Sequence, residues 1–260
     1  MIVDLHNHTP LCNHAVGEPL AYATAAFEKG CEVYGFSDHA PMNHDTLYRM
    51  KFDEMVRYKE MVEAVKSEFA GRMEVLFAYE MDFLTGFMDD RVFEADTDYL
   101  IGSVHFLNNW GFDNPEYIGE FANHDINKLW GDYYEAVAAS AKMGRFNIVG
   151  HMDLLKLFNH RPTVDIKKLA APAVDAIKKA KMVVELNTAG YRKPCNELYP
   201  CDEILELLAE KDVPITISSD AHAPEHVGAN YEKAVAKARE FGYTKVAYFV
   251  KKEMLFKPLE

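Results

Sequence analysis

The chain has 260 residues, 49% of them apolar, and a formal net charge of −13. That is enough for one large α/β domain with a sizeable core, and no apolar run is long enough for a transmembrane helix. With no basic stripe or aromatic-basic groove, the composition argues against a partner such as a long nucleic acid, and any anionic ligand must be held by local cations.

Strand-like and helix-like segments alternate along the chain. The strand-like runs are Ile2–His6, Val33–Asp38, Glu74–Glu80, Tyr99–His105, Asn147–Gly150, Met182–Asn187, Ile215–Ser219 and Lys245–Phe249. Helix-period segments cover Pro19–Lys29, Phe52–Phe69, Ile126–Met143, Asp165–Lys179, Asp202–Lys211 and Tyr231–Phe241. Gly30, Gly71, Gly144 and Gly242 sit just past helix ends, where a left-handed cap is wanted. Repeated strand–helix units imply parallel strands joined by right-handed crossovers. Seven or eight of them point to a (β/α) barrel, regular or distorted, with a doubly wound open sheet as the competitor. No linker or repeat divides the chain, so one domain over 1–260 is expected. The start lacks a basic segment followed by an apolar one, which makes the cytoplasm the expected compartment. Cys12, Cys31, Cys195 and Cys201 then read as free thiols, with no CxxC among them. No helix face offers an obvious seam, so oligomeric state stays open.

Polar residues collect at the strand ends. "DLHNHTPLCNH" puts His6 at the end of the first run, with His8 and His14 close behind. Asp38 and His39 end the second, Glu80 the third and His105 the fourth. His151 follows the fifth, Asn187 ends the sixth, and Asp220 and His222 follow the seventh. Each has a bland reading alone: a satisfied histidine, an Asx turn, a polar loop. Loops after barrel strands open onto one face, however, so these side chains converge there. Buried ionisable groups at that many strand ends are costly unless they pair or bind metal.

Seven histidines with carboxylates suit zinc, manganese or iron, and they exceed what one ion can hold. Two to three divalent transition-metal ions are implied. Cys12 lies among the first histidines but ranks behind these better-spaced ligands. Glu80 and Asp82 share a strand face in "AYEMDF", and Glu80, at the end of the apolar run, is the better bridging carboxylate.

At these residues the sequence resembles the PHP (polymerase and histidinol phosphatase) family of metal-dependent phosphoesterases. "DLHNHT", "CNHA", "FSDHA", "YEMDF", "GSVHFL", "VGHMDLLK", "ELNTAGYRKP" and "SSDAH" occur in the family order and span most of the chain. The last four stretches and the length are most similar to the histidinol-phosphate phosphatases. The resemblance implies a distorted (β/α)7 barrel, PHP or TIM-like, with a trinuclear site. One ion would be held by His6, His8, Glu80 and Asp220. A second would be held by the shared Glu80 with His105 and His151, and a third by His14, His39 and His222. One departure is Ala78, where the family often has glycine two residues before the bridging Glu.

The implied reaction is hydrolysis of a small phosphorylated metabolite, L-histidinol phosphate, with Glu80 and Asp220 supporting a metal-bridging hydroxide. Asp38 is the candidate general acid, or else it orients a ligand histidine. Arg161 in "NHRP" and Arg192 in "GYRKP" are candidate phosphate forks; Asn187 is a candidate substrate contact or else buttresses its strand end, and His160 a candidate substrate contact or else caps a turn. His44, His124 and His226 are left to surface or substrate-side positions. The rivals are a phosphoesterase acting on another small ester or a nucleotide, an amide- or ester-cleaving metal hydrolase, and a metal-binding protein without turnover.

Overall fold

Each sequence segment of apolar alternation becomes a strand in the computed structural model, which describes residues 1–259. In chain order the strands are β1 (Val3–Asp4), β2 (Val33–His39), β3 (Glu74–Asp82), β4 (Tyr99–Ser103), β5 (Phe106–Leu107), β6 (Trp110–Gly111), β7 (Ile148–Val149), β8 (Val183–Asn187), β9 (Ile215–Ser218), β10 (Lys245–Val250) and β11 (Glu253–Pro258). The helices are α1 (Pro19–Glu28), α2 (Met55–Glu68), α3 (Asp90–Phe93), α4 (Ile126–Met143), α5 (Ile166–Ala180), α6 (Asp202–Glu210) and α7 (Tyr231–Glu240). Gly144 ends α4 at φ +69° and Gly30 follows α1 at φ +71°, a region that a residue without a Cβ enters freely.

Seven strands form one sheet in the order β1-β2-β3-β4-β7-β8-β9, and every pairing in it is parallel. The sheet curls until its edges nearly meet, giving a distorted seven-stranded (β/α) barrel. No full ladder joins β9 to β1. Instead the His8 N–H donates to the Ala221 carbonyl at 3.0 Å. The buried Asp4 carboxylate accepts from the Ser219 amide at 2.9 Å and its hydroxyl at 2.5 Å. The seam is therefore closed largely by side chains, and it lies beside the first and last histidines.

The eighth strand-like run does not join the barrel. Lys245–Val250 pairs antiparallel with Glu253–Pro258, and the hairpin turn donates two N–H groups to Asp98, just before β4. The hairpin thus covers the N-terminal end of the strands. Val246, Ala247 and Phe249 join Val3, Leu5, Leu76, Ile101, Ile148 and Ile217 in the barrel's apolar filling. The helices pack on the outward-facing Tyr34, Phe36, Phe77 and Tyr79. With one end filled by hydrocarbon, the polar residues of the C-terminal strand ends have only the other mouth to occupy.

Gly35 on β2 faces this interior. The Tyr99 hydroxyl crosses the barrel and donates to the Leu5 carbonyl at 2.5 Å. A Cβ at Gly35 would overlap that hydroxyl and lie 3.2 Å from the Leu5 Cα. Gly35→Ala should cost about 1–3 kcal/mol and lower Tm by roughly 2–4 °C per kcal/mol. In a thermal double-mutant cycle, Tyr99→Phe should recover part of that loss. Strict additivity of the two changes would contradict this packing account.

Candidate active site

The mouth at the C-terminal strand ends opens into a cleft of about 490 Å³, in the size range of small-molecule sites. Glu80, near the end of β3, is buried at its floor. Its two oxygens face different partners. Oε2 lies 3.2 Å from His6 Nε2, 2.9 Å from His39 Nδ1 and 3.8 Å from His8 Nε2. Oε1 lies 2.9 Å from His151 Nε2 and 3.6 Å from His105 Nε2. Asp220 joins the first group, with Oδ1 at 3.1 Å from His8 Nε2 and 3.9 Å from His6 Nε2.

Most of these imidazoles are anchored through Nδ1. His6 Nδ1 meets Glu185 Oε2 at 2.9 Å, His8 Nδ1 meets Asp38 Oδ1 at 3.3 Å, and His105 Nδ1 meets Asp82 Oδ1 at 2.6 Å. His14 and His222 use backbone carbonyls, Cys12 O at 2.8 Å and Asp220 O at 3.2 Å. An Nδ1–H donated to oxygen fixes the ring's orientation and turns Nε2 toward the centre, where a metal ion can replace any proton it carries. Ligand atoms lie within 4.8 Å of one another in the sets His6/His8/Glu80, Glu80/His105/His151 and His14/His39/His222. A further set, His8/Cys12/His222, includes the buried Cys12, whose thiol burial and Asp38 push up and so hold protonated.

The donor chemistry fits cations. His6 Nε2, His39 Nδ1 and Glu80 Oε2 are buried, and the two nitrogens crowd Oε2 at 3.2 and 2.9 Å without the angular geometry of a hydrogen bond. His105 Nε2 and His151 Nε2 stand 3.1 Å apart, a repulsive contact for two lone pairs that a proton or a metal ion relieves. Charge divides the cluster in two. Burial pushes the Glu80 and Asp220 carboxyls up, but His6 and the other imidazoles around them hold both well below the usual range. Burial lowers His39 to about 3 and lowers His14 and His222 as well. Those three are neutral, ligand-ready imidazoles. Burial also disfavours charge on His6, His8 and His105, yet neighbouring carboxylates raise all three, His105 to about 10 beside Asp82.

This architecture matches known proteins. The PHP domain model matches residues 4–189. The chain belongs to the PHP domain family. A relative in Deinococcus radiodurans named "Probable histidinol-phosphatase" is 40% identical over 252 residues, covering 95% of this chain and 96% of the relative. The Bacillus subtilis "Histidinol-phosphatase" is 29% identical over 261 residues, with 88% and 96% covered. The fold is also that of a Lactococcus lactis histidinol phosphate phosphatase solved with zinc, L-histidinol and phosphate. There the TM-score is 0.81 at 17% identity, covering 98% of this chain and all of that one.

The structure places four of the candidate catalytic and substrate-contact residues outside the cleft. Asp38 is buried behind His8 and does not line the cleft. It accepts from Thr9 Oγ1 and from the His39 amide at 2.9 Å. Adjacent strand residues face opposite sides, so placing His39 in the cleft turns Asp38 away from it. It orients His8 and is not placed to act as the general acid. Asn187 does not contact the cleft either: Nδ2 donates to Glu185 at 2.9 Å and to Asp220 Oδ2 at 3.1 Å, while Oδ1 caps the next turn. His160 stacks on Phe121 at 3.9 Å, outside the cleft. Arg161 is 40% exposed and donates to Glu197 at 2.8 Å. By residue 160 the loop has already made its buried turn and returned to the outer layer. Arg192 does line the cleft: one guanidinium nitrogen holds Ser219 O and Asp220 O at 2.7 and 3.1 Å, and Nη1 is buried and unpartnered. Of the unassigned histidines, His226 lines the cleft, His44 packs on Phe87 and Phe106, and His124 stacks on Trp110.

Sequence reasoning missed Glu185, Asp82's anchoring role, Arg49 and Lys156. Glu185 accepts from His6, from the His151 amide at 2.6 Å and from Ser218 Oγ at 2.6 Å. The signal was a lone carboxylate within "VVELN", two residues before Asn187 and hence on its face. Arg49 holds Asp82 at 2.8 Å. Lys156 is fully buried and ties Asp153 to Glu197 at 2.7 and 2.8 Å, joining the loops after β7 and β8.

Glu185→Gln should weaken metal binding about 10- to 100-fold, read by competition with a chromophoric chelator; unchanged affinity would show that Glu185 only packs. Metal uptake should also release protons. His6, His8 and His105 have raised values, so they hold protons that a cation must displace, and affinity should climb from pH 6 to pH 8. The slope should be about tenfold per displaced proton per pH unit. Calorimetry in buffers of different ionisation enthalpy measures the release, and a proton count of zero would contradict this protonation pattern.

Proposed function

We propose that the protein is a histidinol-phosphatase, hydrolysing L-histidinol phosphate to L-histidinol and phosphate. The observation that carries this reading is the buried Glu80 carboxylate, whose two oxygens face separate histidine groups, with an unpartnered Arg192 nitrogen on the wall of the same cleft. The 40% identical relative, aligned over nearly its whole length, supports the substrate.

Two to three divalent transition-metal ions, with zinc, manganese or iron suited to the donors, would be held by three sets of residues. These are His6, His8, Glu80 and Asp220; Glu80, His105 and His151; and His14, His39 and His222. When bound, such ions neutralise a phosphate dianion and acidify water. The protein's own residues do the rest. Glu185, Asp38, Asp82 and two backbone carbonyls hold the imidazoles in the ligating tautomer. Asn187 fixes the Asp220 carboxylate toward His8. Arg192 Nη1 binds a phosphoryl oxygen, and its desolvated guanidinium gains most from an anion there. Leu154, Leu157 and Tyr199 line the cleft and reduce the water around the phosphorus.

A storage or metal-binding role would leave Arg192 Nη1 without a purpose. A reaction on long nucleic acid fits neither the net charge nor the confined cleft. Within the described residues no helix is long and apolar enough to cross a membrane. Four free buried cysteines suit the reducing cytoplasm.

Steady-state phosphate release tests the substrate. Histidinol phosphate should exceed an aryl phosphate and a nucleoside monophosphate in kcat/KM by orders of magnitude, whereas similar slow rates on all three would discard the named substrate. Glu80→Gln should abolish turnover and metal content together, and full activity in that variant would remove the two-group scheme.

A further inference from the structure

Four carboxylates line the cleft: Asp45, Glu80, Asp113 and Asp220. Glu80 and Asp220 belong to the histidine clusters. Asp45 is paired with Arg49 at 3.3 Å. Asp113 differs from all three. Among the described residues, no lysine, arginine or histidine lies within ion-pair distance of its carboxylate, and no other residue donates a hydrogen bond to it.

Its position is fixed by the fold. β5 and β6 form a two-stranded hairpin directly after His105, and Phe112 N–H donates to the His105 carbonyl at 3.2 Å. Asp113 follows, at the point where the chain turns from the hairpin into the short helical segment Pro115–Asn123. The preceding Phe112 is buried and packs on Tyr133, which holds this turn against the barrel. The carboxylate is thus partly desolvated, beside the His105/His151 side of the centre. Cations line the cleft elsewhere, in Arg192 and Lys193 from the loop after β8.

A partly buried carboxylate without a partner is costly unless the ligand supplies the cation. The cleft therefore has an anion-seeking feature in Arg192 and, in Asp113, a carboxylate without an ion-pair or hydrogen-bond partner on another residue. A ligand that answers both carries a phosphate and a positive charge. We infer that Asp113 is a specificity-determining residue that receives the primary ammonium group of a phosphorylated amino alcohol. The inference rests on the phosphatase reading above and deepens it: it names the substrate group that the cleft selects, apart from the imidazole ring.

Two matched pairs of esters test it on the metal-loaded enzyme. One is histidinol phosphate against its des-amino analogue, 3-(imidazolyl)propyl phosphate. The other is O-phosphoethanolamine against ethyl phosphate. For the wild type, and for Asp113→Asn and Asp113→Ala, the quantity read is the ratio of kcat/KM within a pair, so that a general loss of activity cancels. The wild-type ratio should favour the amino member by about 10- to 100-fold, as expected for a hydrogen bond between charged groups. In both variants it should collapse toward one, mostly through KM, as the loss of ground-state binding requires. A wild-type ratio near one, or a ratio unchanged in both variants, would overturn the role of Asp113 even if histidinol phosphate remained the preferred substrate. Conversely, equal use of O-phosphoethanolamine and histidinol phosphate, with the amino preference intact and lost in Asp113→Asn, would leave Asp113 its role and discard histidinol phosphate as the named substrate.

Discussion

A carboxylate buried among imidazoles organises this protein. Glu80 has no solvent to stabilise its charge, so positive charge must come from around it. The barrel supplies positions for that charge because parallel strands end at one mouth, and β2, β3, β4 and β7 each deliver or precede one member of the cluster. Five histidines come within 4 Å of the Glu80 oxygens, from four separate stretches of chain. Such a group is poorly stable as a set of bare lone pairs and well suited as a set of ligands. The hairpin at the opposite end, the apolar filling and the seam at Asp4 all serve to hold those strand ends at fixed separations.

Around this centre lies a layer of groups that never reach the substrate space. Asp38, Asp82, Glu185 and Asn187 each grip a side chain of the histidine–carboxylate cluster, and Arg49 in turn grips Asp82. Lys156 extends the same logic outward by pinning the loop that carries His151 to the loop that carries Tyr199. Although the chain is acidic, the carboxylates at the floor of the cleft are matched by imidazoles.

Much of the architecture was legible in the sequence, because a strand's alternation and a helix's three-and-four spacing are local properties. Positions at strand ends were equally readable, which is why seven histidines could be placed at one mouth of the barrel from the sequence alone. Three kinds of information were not local. Lys245–Val250 has a strand's composition, but only its pairing with Glu253–Pro258 decides that it caps the barrel instead of joining it. Which face Asp38 takes follows from alternation once His39 is fixed, a constraint that proximity in sequence obscured. Arg161 and Arg192 sit in similar loops, and tertiary placement alone sends the first to Glu197 and the second to the cleft. Glu185 lay in plain view within an apolar strand, and its carboxylate stood out only against the cost of burying it.

The central proposal is that Glu80 would stand between two ions. Anomalous X-ray scattering at the metal absorption edge, on crystals of the metal-loaded protein, tests it most directly. The account predicts two peaks about 3.5–4 Å apart, one on the His6/His8 side of the carboxylate and one on the His105/His151 side. A single ion bound away from Glu80, with both carboxylate oxygens hydrogen-bonded to protonated histidines, would contradict it.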